Sequence, residues 1–181
     1  MHRMRRTCRC RLAAALLLAG PLAAPVAAAQ AQTASPAPCT APEYRHFDFW
    51  LGEWDVTNPA GQVVGRSRIT SILNDCVIKE EWTAARGGTG TSYNIFDARS
   101  GRWHQSWVDG QGTLLLIDGG LDSSGAMVLA NSERRSDGTT VQNRITWTRL
   151  SADEVRQRWD TSTDGGATWT TGFDGLYRRK R

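Results

Sequence analysis

The stretch "RWHQSWVDGQG", residues 102–112, alternates large side chains with polar ones and then turns at two glycines. Successive side chains of a β-strand point to opposite faces, so Trp103, Gln105 and Trp107 share one face and the residues between them share the other. The pattern predicts a half-buried strand that ends in a hairpin turn. We expect the face with the tryptophans to be the buried one.

The same alternation continues along the chain after residue 40. Short apolar and aromatic runs are separated by glycine-bearing turns such as "NPAGQ", "DARSG" and "TDGG". Every connection is short enough for a hairpin, and closing such a meander into a barrel removes its exposed edges. We therefore predict an all-β fold, an antiparallel meander closed into a barrel. Its ten or so strands are expected near residues 52–58, 62–72, 76–84, 90–97, 101–109, 112–118, 125–133, 140–150, 153–161 and 168–178.

Other strands repeat this arrangement of aromatic and polar side chains on one face. In the last strand the spacing also aligns Trp169, Phe173 and Tyr177 on that face. The predicted pocket lining, taken together, is Glu80, Trp82, Trp103, Gln105, Trp107, Asn143, Trp147, Gln157 and Trp159.

Polar side chains among those aromatics call for hydrogen-bond partners, because an unpaired polar group in a dry core costs roughly 1–3 kcal/mol. A ten-stranded barrel is also wider than the eight-stranded barrels that side chains just fill. Both points predict a cavity for a small molecule. The alternative is a closed core in which Gln105, Asn143 and Gln157 satisfy one another.

One segment before the first strand has a helical spacing. In "APEYRHFDFWLG", residues 41–52, Pro42 stands near the start and Gly52 after the end. Phe47, Trp50 and Leu51 recur at intervals of three and four. We predict a short N-terminal helix that serves as a plug or lid on one barrel mouth.

The first 31 residues read as a secretory signal peptide. Five arginines and no acid accompany the apolar run "LAAALLLAGPLAAPVAAA" and small residues suited to cleavage. Export to the periplasm or the extracellular space follows, without a membrane span in the mature protein. Residues 32–42 are predicted to be a flexible segment and residues 43–181 a single barrel domain.

Removing the leader changes the charge of the chain. Five of its 22 basic residues and none of its 18 acidic residues lie in residues 1–29, which leaves 17 against 18. The remaining charges are interspersed, so no nucleic-acid partner is expected. Of four cysteines, Cys39 and Cys76 remain, and in an oxidising compartment the pair predicts a disulfide. The alternative is that Cys39 is free.

The segment "STDGGATW", residues 162–169, matches the Asp-box of glycan-handling proteins. A sialidase propeller would need several repeats of its blades, and one box is present. We interpret the box as a hairpin turn in which Asp164 accepts hydrogen bonds from turn amides. Sugar binding by tryptophan faces is a less favoured alternative.

Motifs for catalysis are missing from the sequence. It has no G-x-S-x-G, and the mature chain has two histidines, His46 and His104. If the protein is an enzyme, Glu80 would be the acid–base group, with Gln105 or Asn143 orienting the substrate. Isomerisation, decarboxylation or hydrolysis of a small hydrophobic substrate would be the reaction class.

Three segments carry a resemblance to known proteins: "HFDFWLGEWDV", "YNIFDARSGRWHQSWVDGQGTLLLIDGG" and "WDTSTDGGATWTTGFDGLYRRK". Over residues 44–180 the chain resembles a family of uncharacterised exported bacterial proteins. It is similar, through Gly52 and Trp54, to calycin-like barrels, which include lipocalins, fatty-acid-binding proteins and nitrobindins. The resemblance implies a central ligand site and no particular reaction. No cofactor is expected from the residues themselves. The likeness to nitrobindins implies haem as a less favoured alternative, with His46 as its ligand.

The function expected from the sequence is therefore that of an exported protein that binds a small apolar or aromatic molecule inside a barrel. We expect a monomer or a weak homodimer. Two alternatives stay open: an enzyme that uses the same cavity, and a structural or interaction protein of the cell envelope with a filled barrel.

Overall fold

A computed structural model of the chain describes residues 38–181. The predicted signal peptide and most of the predicted flexible segment lie outside the described residues. Within the part that is described, no helix is both long enough and apolar enough to cross a membrane.

Ten antiparallel strands form a closed barrel in which each strand pairs with its neighbours in sequence and the last pairs with the first. The predicted calycin-like meander is confirmed, and each strand lies within three residues of its predicted bounds. The strands are β1 (Gly52–Thr57), β2 (Val63–Ile72), β3 (Val77–Ala84), β4 (Thr89–Asp97), β5 (Arg102–Asp109), β6 (Leu114–Leu121), β7 (Met127–Arg134), β8 (Thr140–Arg149), β9 (Glu154–Ser162) and β10 (Thr170–Arg179).

Alternating burial along each strand separates the interior from the surface. On β8, Asn143, Ile145 and Trp147 are buried, whereas Arg144 and Thr146 between them are partly exposed. This is the period of two that the sequence predicts, with the aromatic side chains turned inward. The barrel interior therefore holds both the apolar core and the polar side chains of the predicted pocket.

The barrel has two unlike ends, because a meander places alternate turns at opposite rims. The turns at residues 73–76, 98–101, 122–126 and 150–153 lie at the end where the N-terminal segment packs, which we call the plugged end. The turns at residues 58–62, 85–88, 110–113, 135–139 and 163–169 lie at the other, which we call the open end.

The plug consists of two short 3-10 helices, Pro42–Arg45 and Asp48–Trp50, in place of the single helical turn that the sequence predicts. Phe47 and Trp50 are fully buried and stack with ring centroids 5.0 Å apart. Trp103 and Trp147 meet Phe47 edge-on at 5.7 and 5.1 Å. These aromatic contacts fill the plugged end, as expected of a plug.

A contact between the first and last strands closes the barrel beside the plug. The Arg179 guanidinium lies 4.3 Å from the centre of the Trp54 ring and donates a 2.9 Å hydrogen bond to the Leu51 carbonyl oxygen. Gly52 makes room for this arginine: its φ is 138°, and a Cβ there would lie 2.1 Å from Arg179 Nη1. Glycine is thus required at the step between plug and β1.

The predicted alignment of Trp169 with Phe173 and Tyr177 is wrong. The register between β9 and β10 shifts between Thr171 and Phe173, and Trp169 precedes the strand. The bulge breaks the period of two, so Trp169 lies on the outer face, with its ring 4.0 Å from the Arg144 guanidinium.

The Cys39–Cys76 disulfide is present, as predicted, with an S–S distance of 2.02 Å. It joins the segment before the plug to the turn between β2 and β3, where Cys76 directly precedes β3. The bridge therefore attaches the plug segment to the rim of the barrel that it closes.

Reduction of this disulfide is expected to lower the free energy of unfolding by about 4 kcal/mol, because the bridge closes a loop 37 residues long in the unfolded chain. Urea unfolding with and without a reductant measures the change. The double variant Cys39→Ser/Cys76→Ser is the control and should not respond to the reductant. Equal unfolding free energies of wild type in both conditions would contradict the expectation.

Candidate functional site

A cavity of about 450 Å³ lies in the half of the barrel away from the plug. Its lining comes from six strands, β3, β5, β6, β8, β9 and β10, and is mostly aromatic or aliphatic. The lining residues are Glu80, Trp82, Gln105, Trp107, Asp109, Leu115, Ile145, Gln157, Trp159, Thr161, Gly172, Phe173 and Tyr177.

Two indoles of the wall lie against glycines of neighbouring strands. A Cβ at Gly65 of β2 would stand 2.4 Å from the Trp82 ring, and a Cβ at Gly90 of β4 would stand 2.3 Å from the Trp107 ring. Because neither glycine has a side chain, each indole can approach the inner surface of the sheet closely. These glycines therefore preserve the volume of the cavity in front of the two rings.

Trp159 is held in place from behind. Its Nε1 donates a 3.0 Å hydrogen bond to Asn143 Oδ1, and Asn143 Nδ2 donates to Asn131 Oδ1 at 2.9 Å and to Glu133 Oε1 at 3.3 Å. Asn143 is 3% exposed. Its role in the structure is thus to orient the indole of Trp159.

The acid of the cavity is Glu80, which is 3% exposed. Ser67 Oγ donates to Glu80 Oε1 at 2.8 Å, and Ser92 Oγ donates to Glu80 Oε2 at 3.1 Å. The serines belong to β2 and β4, the strands on either side of β3. Both carboxylate oxygens therefore have a hydrogen-bond donor, although no cationic side chain within residues 38–181 is paired with the group.

A chain of hydrogen bonds connects Glu80 to Gln105. Gln105 Nε2 donates to Asn94 Oδ1 at 2.6 Å, and Asn94 Nδ2 donates to Ser92 Oγ at 3.1 Å and to the Ile78 carbonyl oxygen at 3.0 Å. Across the barrel, the Tyr177 hydroxyl donates to Gln157 Oε1. Polar side chains that the sequence places among aromatics thus find partners within the barrel wall.

Burial raises the pKa of Glu80 to about 7, and the hydrogen bonds from Ser67 and Ser92 offset only part of that rise. Burial, together with the charge of Glu80, also raises the pKa of the Tyr177 hydroxyl well above its usual value. Near neutral pH the Glu80 carboxyl therefore exchanges readily between its charged and neutral forms.

The other carboxylate of the lining is Asp109. The backbone N–H groups of Thr113 and Gln111 donate to it at 3.0 and 2.9 Å, and these bonds keep its pKa below the usual range. Among the described residues, no lysine, arginine or histidine lines the cavity. The fixed charge of the lining is therefore negative.

Six of the nine predicted pocket residues line the cavity. Asn143 lies behind Trp159, and Trp103 and Trp147 are buried against Phe47 at the plugged end. The sequence reasoning missed the polar partners of Glu80, namely Ser67, Ser92 and Asn94. The alternation on β4 could not have found Ser92 and Asn94, because it favours the larger Tyr93 and Ile95 for the inner face, and the structure leaves those two exposed.

The residues of the cavity do not suit haem. His46 lies in the plug, between the two 3-10 helices, and no histidine, cysteine or methionine of the described residues lines the cavity. Tyr177 does line it, but its hydroxyl is committed to Gln157 Oε1. His104 points outward, where its Nδ1 and Nε2 lie 2.8 Å from Asp118 Oδ1 and 2.9 Å from Ser106 Oγ. The residues in the described range contain no cluster of three or more side chains suited to a metal ion.

The Asp-box is the turn between β9 and β10. Asp164 Oδ1 and Oδ2 accept from the Thr168 backbone N–H at 2.9 and 3.0 Å, and Thr168 Oγ1 donates to Oδ2 at 2.6 Å. These bonds, led by that of the Thr168 hydroxyl, hold the pKa of Asp164 far below its usual range. The box thus stabilises a hairpin loop at the open end.

Comparison with protein-family models and with curated proteins finds no match to this chain. The functional argument therefore depends on the geometry of the cavity.

The buried carboxyl should make stability depend on pH. An acid whose pKa rises from 4.5 to about 7 on folding costs nothing below the unfolded value, and its cost is complete above the folded value. We expect the unfolding free energy of wild type, measured relative to Glu80→Gln, to fall by about 3 kcal/mol between roughly pH 4.5 and pH 8.

Urea unfolding of both proteins across that range measures the difference. Glu81→Gln is the matched control: Glu81 is the exposed neighbour of Glu80, and its bond with Lys79 lowers its pKa. The stability that Glu81 contributes is lost mainly as the pH falls below 4.5, so the profiles of wild type and Glu81→Gln should run nearly parallel between pH 4.5 and pH 8. Parallel profiles of wild type and Glu80→Gln would show that Glu80 ionises normally.

Proposed function

We propose that this chain is an exported binding protein that carries a small, largely apolar or aromatic molecule in its barrel. The observation that carries the proposal is the cavity of about 450 Å³, which falls within the 300–1,000 Å³ typical of small-molecule sites. The plug fills one half of the barrel and leaves this volume in the other.

Export is supported by two features. The N-terminal sequence has the charge and apolar run of a signal peptide, and the Cys39–Cys76 bridge is of the kind that persists in oxidising compartments.

The chemistry of the lining supports an apolar or aromatic ligand. Trp82, Trp107, Trp159 and Phe173 offer ring area, and Gln105, Gln157 and Glu80 offer the few polar atoms that would set orientation.

A filled barrel is less well supported. The amides do satisfy one another in part, as a closed core would require, through the bonds of Gln105 with Asn94 and of Gln157 with Tyr177. A cavity nevertheless lies in front of both glutamines. The polar side chains therefore belong to its wall and do not occupy its volume.

An enzyme is the second candidate, and the pKa of Glu80 favours it. A carboxyl with a pKa of about 7 that faces a cavity is suited to general acid–base catalysis at neutral pH. In this case Glu80 would transfer the proton and Gln105 would orient the substrate. Loss of turnover in Glu80→Gln on a discovered substrate is the expected outcome, and an unchanged rate would remove this candidate.

Binding of a neutral aromatic probe tests the primary proposal. We expect 2-phenylethanol or 1-naphthol to bind one site per chain, as measured by calorimetry and by quenching of tryptophan fluorescence. Gly90→Ala should weaken binding roughly ten-fold, because the added methyl group forces the Trp107 ring into the cavity. Gly65→Ala should also displace Trp82, but its Cβ would stand 2.7 Å from the Thr83 carbonyl oxygen as well, so a backbone shift adds to its effect.

Gly120→Ala is the matched control, because a Cβ at this strand glycine meets nothing within 4 Å. Thermal unfolding of all three variants verifies that they fold. Equal probe affinity in wild type, Gly90→Ala and Gly65→Ala, or no probe binding to wild type at millimolar concentration, would overturn the proposal.

A further inference from the structure

We propose that the ligand of this cavity is an organic cation, a protonated amine with an apolar or aromatic body, whose ammonium group binds Glu80 among the tryptophan rings. This inference rests on the proposed binding function and narrows it to one charge class. Three features support it: the negative charge of the lining, the unused acceptor positions of Glu80 and Gln105, and the tryptophan rings that line the same cavity.

The first step is that residues 38–181 supply no counter-ion for Glu80. The serines that bond it are neutral, and the lining contains no basic side chain. On the same strand, Lys79 faces outward and is paired with Glu81. A buried carboxylate without a counter-ion is costly, so a cation that enters the cavity would pair with a desolvated, opposite charge.

The second step is that Glu80 retains room for a donor. Each of its oxygens accepts one hydrogen bond from a serine, whereas a carboxylate has about four acceptor positions. Gln105 uses its Nε2 to bond Asn94, and its Oε1 has no partner among the described residues. An ammonium group has three donors and no acceptor, so it can bond both Glu80 and Gln105 Oε1.

The third step concerns the rings. A cation gains most from an aromatic ring when it lies over the ring face. The indoles of Trp82 and Trp107 lie close over Gly65 and Gly90, and both border the same cavity as Glu80. Trp159 is fixed there by Asn143. Aromatic walls around one carboxylate form the kind of cage that recognises ammonium ions.

The charge near the mouth of the cavity is also negative. Asp109 lines the cavity at the end of β5, and its low pKa keeps it ionised. Glu133 accepts a hydrogen bond from Asn143 behind Trp159. A carboxylate or phosphate ligand would meet these acids without any cation in the lining, so fatty acids and other anions are excluded by charge.

Three probes of the same shape and different charge test the inference: 2-phenylethylamine, 2-phenylethanol and phenylacetate, each titrated into the full mature protein by calorimetry at neutral pH. We expect the amine to bind wild type roughly ten-fold or more tightly than the alcohol, as a charge-assisted hydrogen bond allows, and phenylacetate to bind most weakly. The three affinities are all measured on wild type, so this comparison does not depend on whether a variant folds.

Glu80→Gln then assigns the preference to one residue. It should abolish the preference for the amine, so that the amine binds the variant no more tightly than the alcohol binds the same variant. Glu81→Gln, the same change on the outer face of the same strand, should preserve the wild-type ranking of the three probes.

Two failures can be told apart. If the alcohol binds wild type as tightly as the amine, or if Glu80→Gln keeps the preference for the amine, the inference is overturned while the binding function stands. If neither the alcohol nor the amine binds wild type, the cavity is not a ligand site, and both proposals fall.

Discussion

The aromatic plug is the constraint on which the rest of this structure depends. Ten strands enclose more space than their own side chains fill. At one end the space is taken by Phe47 and Trp50 from the N-terminal segment, packed against Trp103 and Trp147 of the barrel. The disulfide at Cys39 and the Arg179 contact over Trp54 hold that segment in position. Because the plug reaches only part of the barrel's length, the other half keeps a cavity.

A buried acid in that cavity gives the fold its chemical character. Glu80 has hydrogen bonds from both neighbouring strands and no cation, so the carboxyl is oriented but not neutralised. This arrangement lowers the free energy of unfolding at neutral pH, because burial disfavours the charged form of Glu80. A destabilising buried carboxyl at a cavity wall is typical of a functional group. The same residue serves both candidate functions, as the ligand's binding partner or as an acid–base catalyst.

On the strands whose faces the sequence predicted, the alternation gave the face of each aromatic residue except Trp169, but not its depth in the barrel. Trp103 and Trp107 share a face, as the period of two requires, yet four residues of strand separate them by roughly 13 Å. One therefore packs against the plug and the other lines the cavity. The same reason moves Trp147 out of the predicted lining, while Gln105 and Gln157, nearer the middle, stay within it.

The sequence by itself determined the all-β meander, the inward tryptophans and glutamines, the plug and the Cys39–Cys76 pair, because hydrophobic period, turn residues and cysteine count are local properties of the chain. Only the tertiary structure decided which side chains meet. Ser67 and Ser92 reach Glu80 from strands 13 and 12 residues away, and a bulge turns Trp169 outward. Arg179 closes the barrel on Leu51, 128 residues earlier, because strand register and closure bring distant residues together.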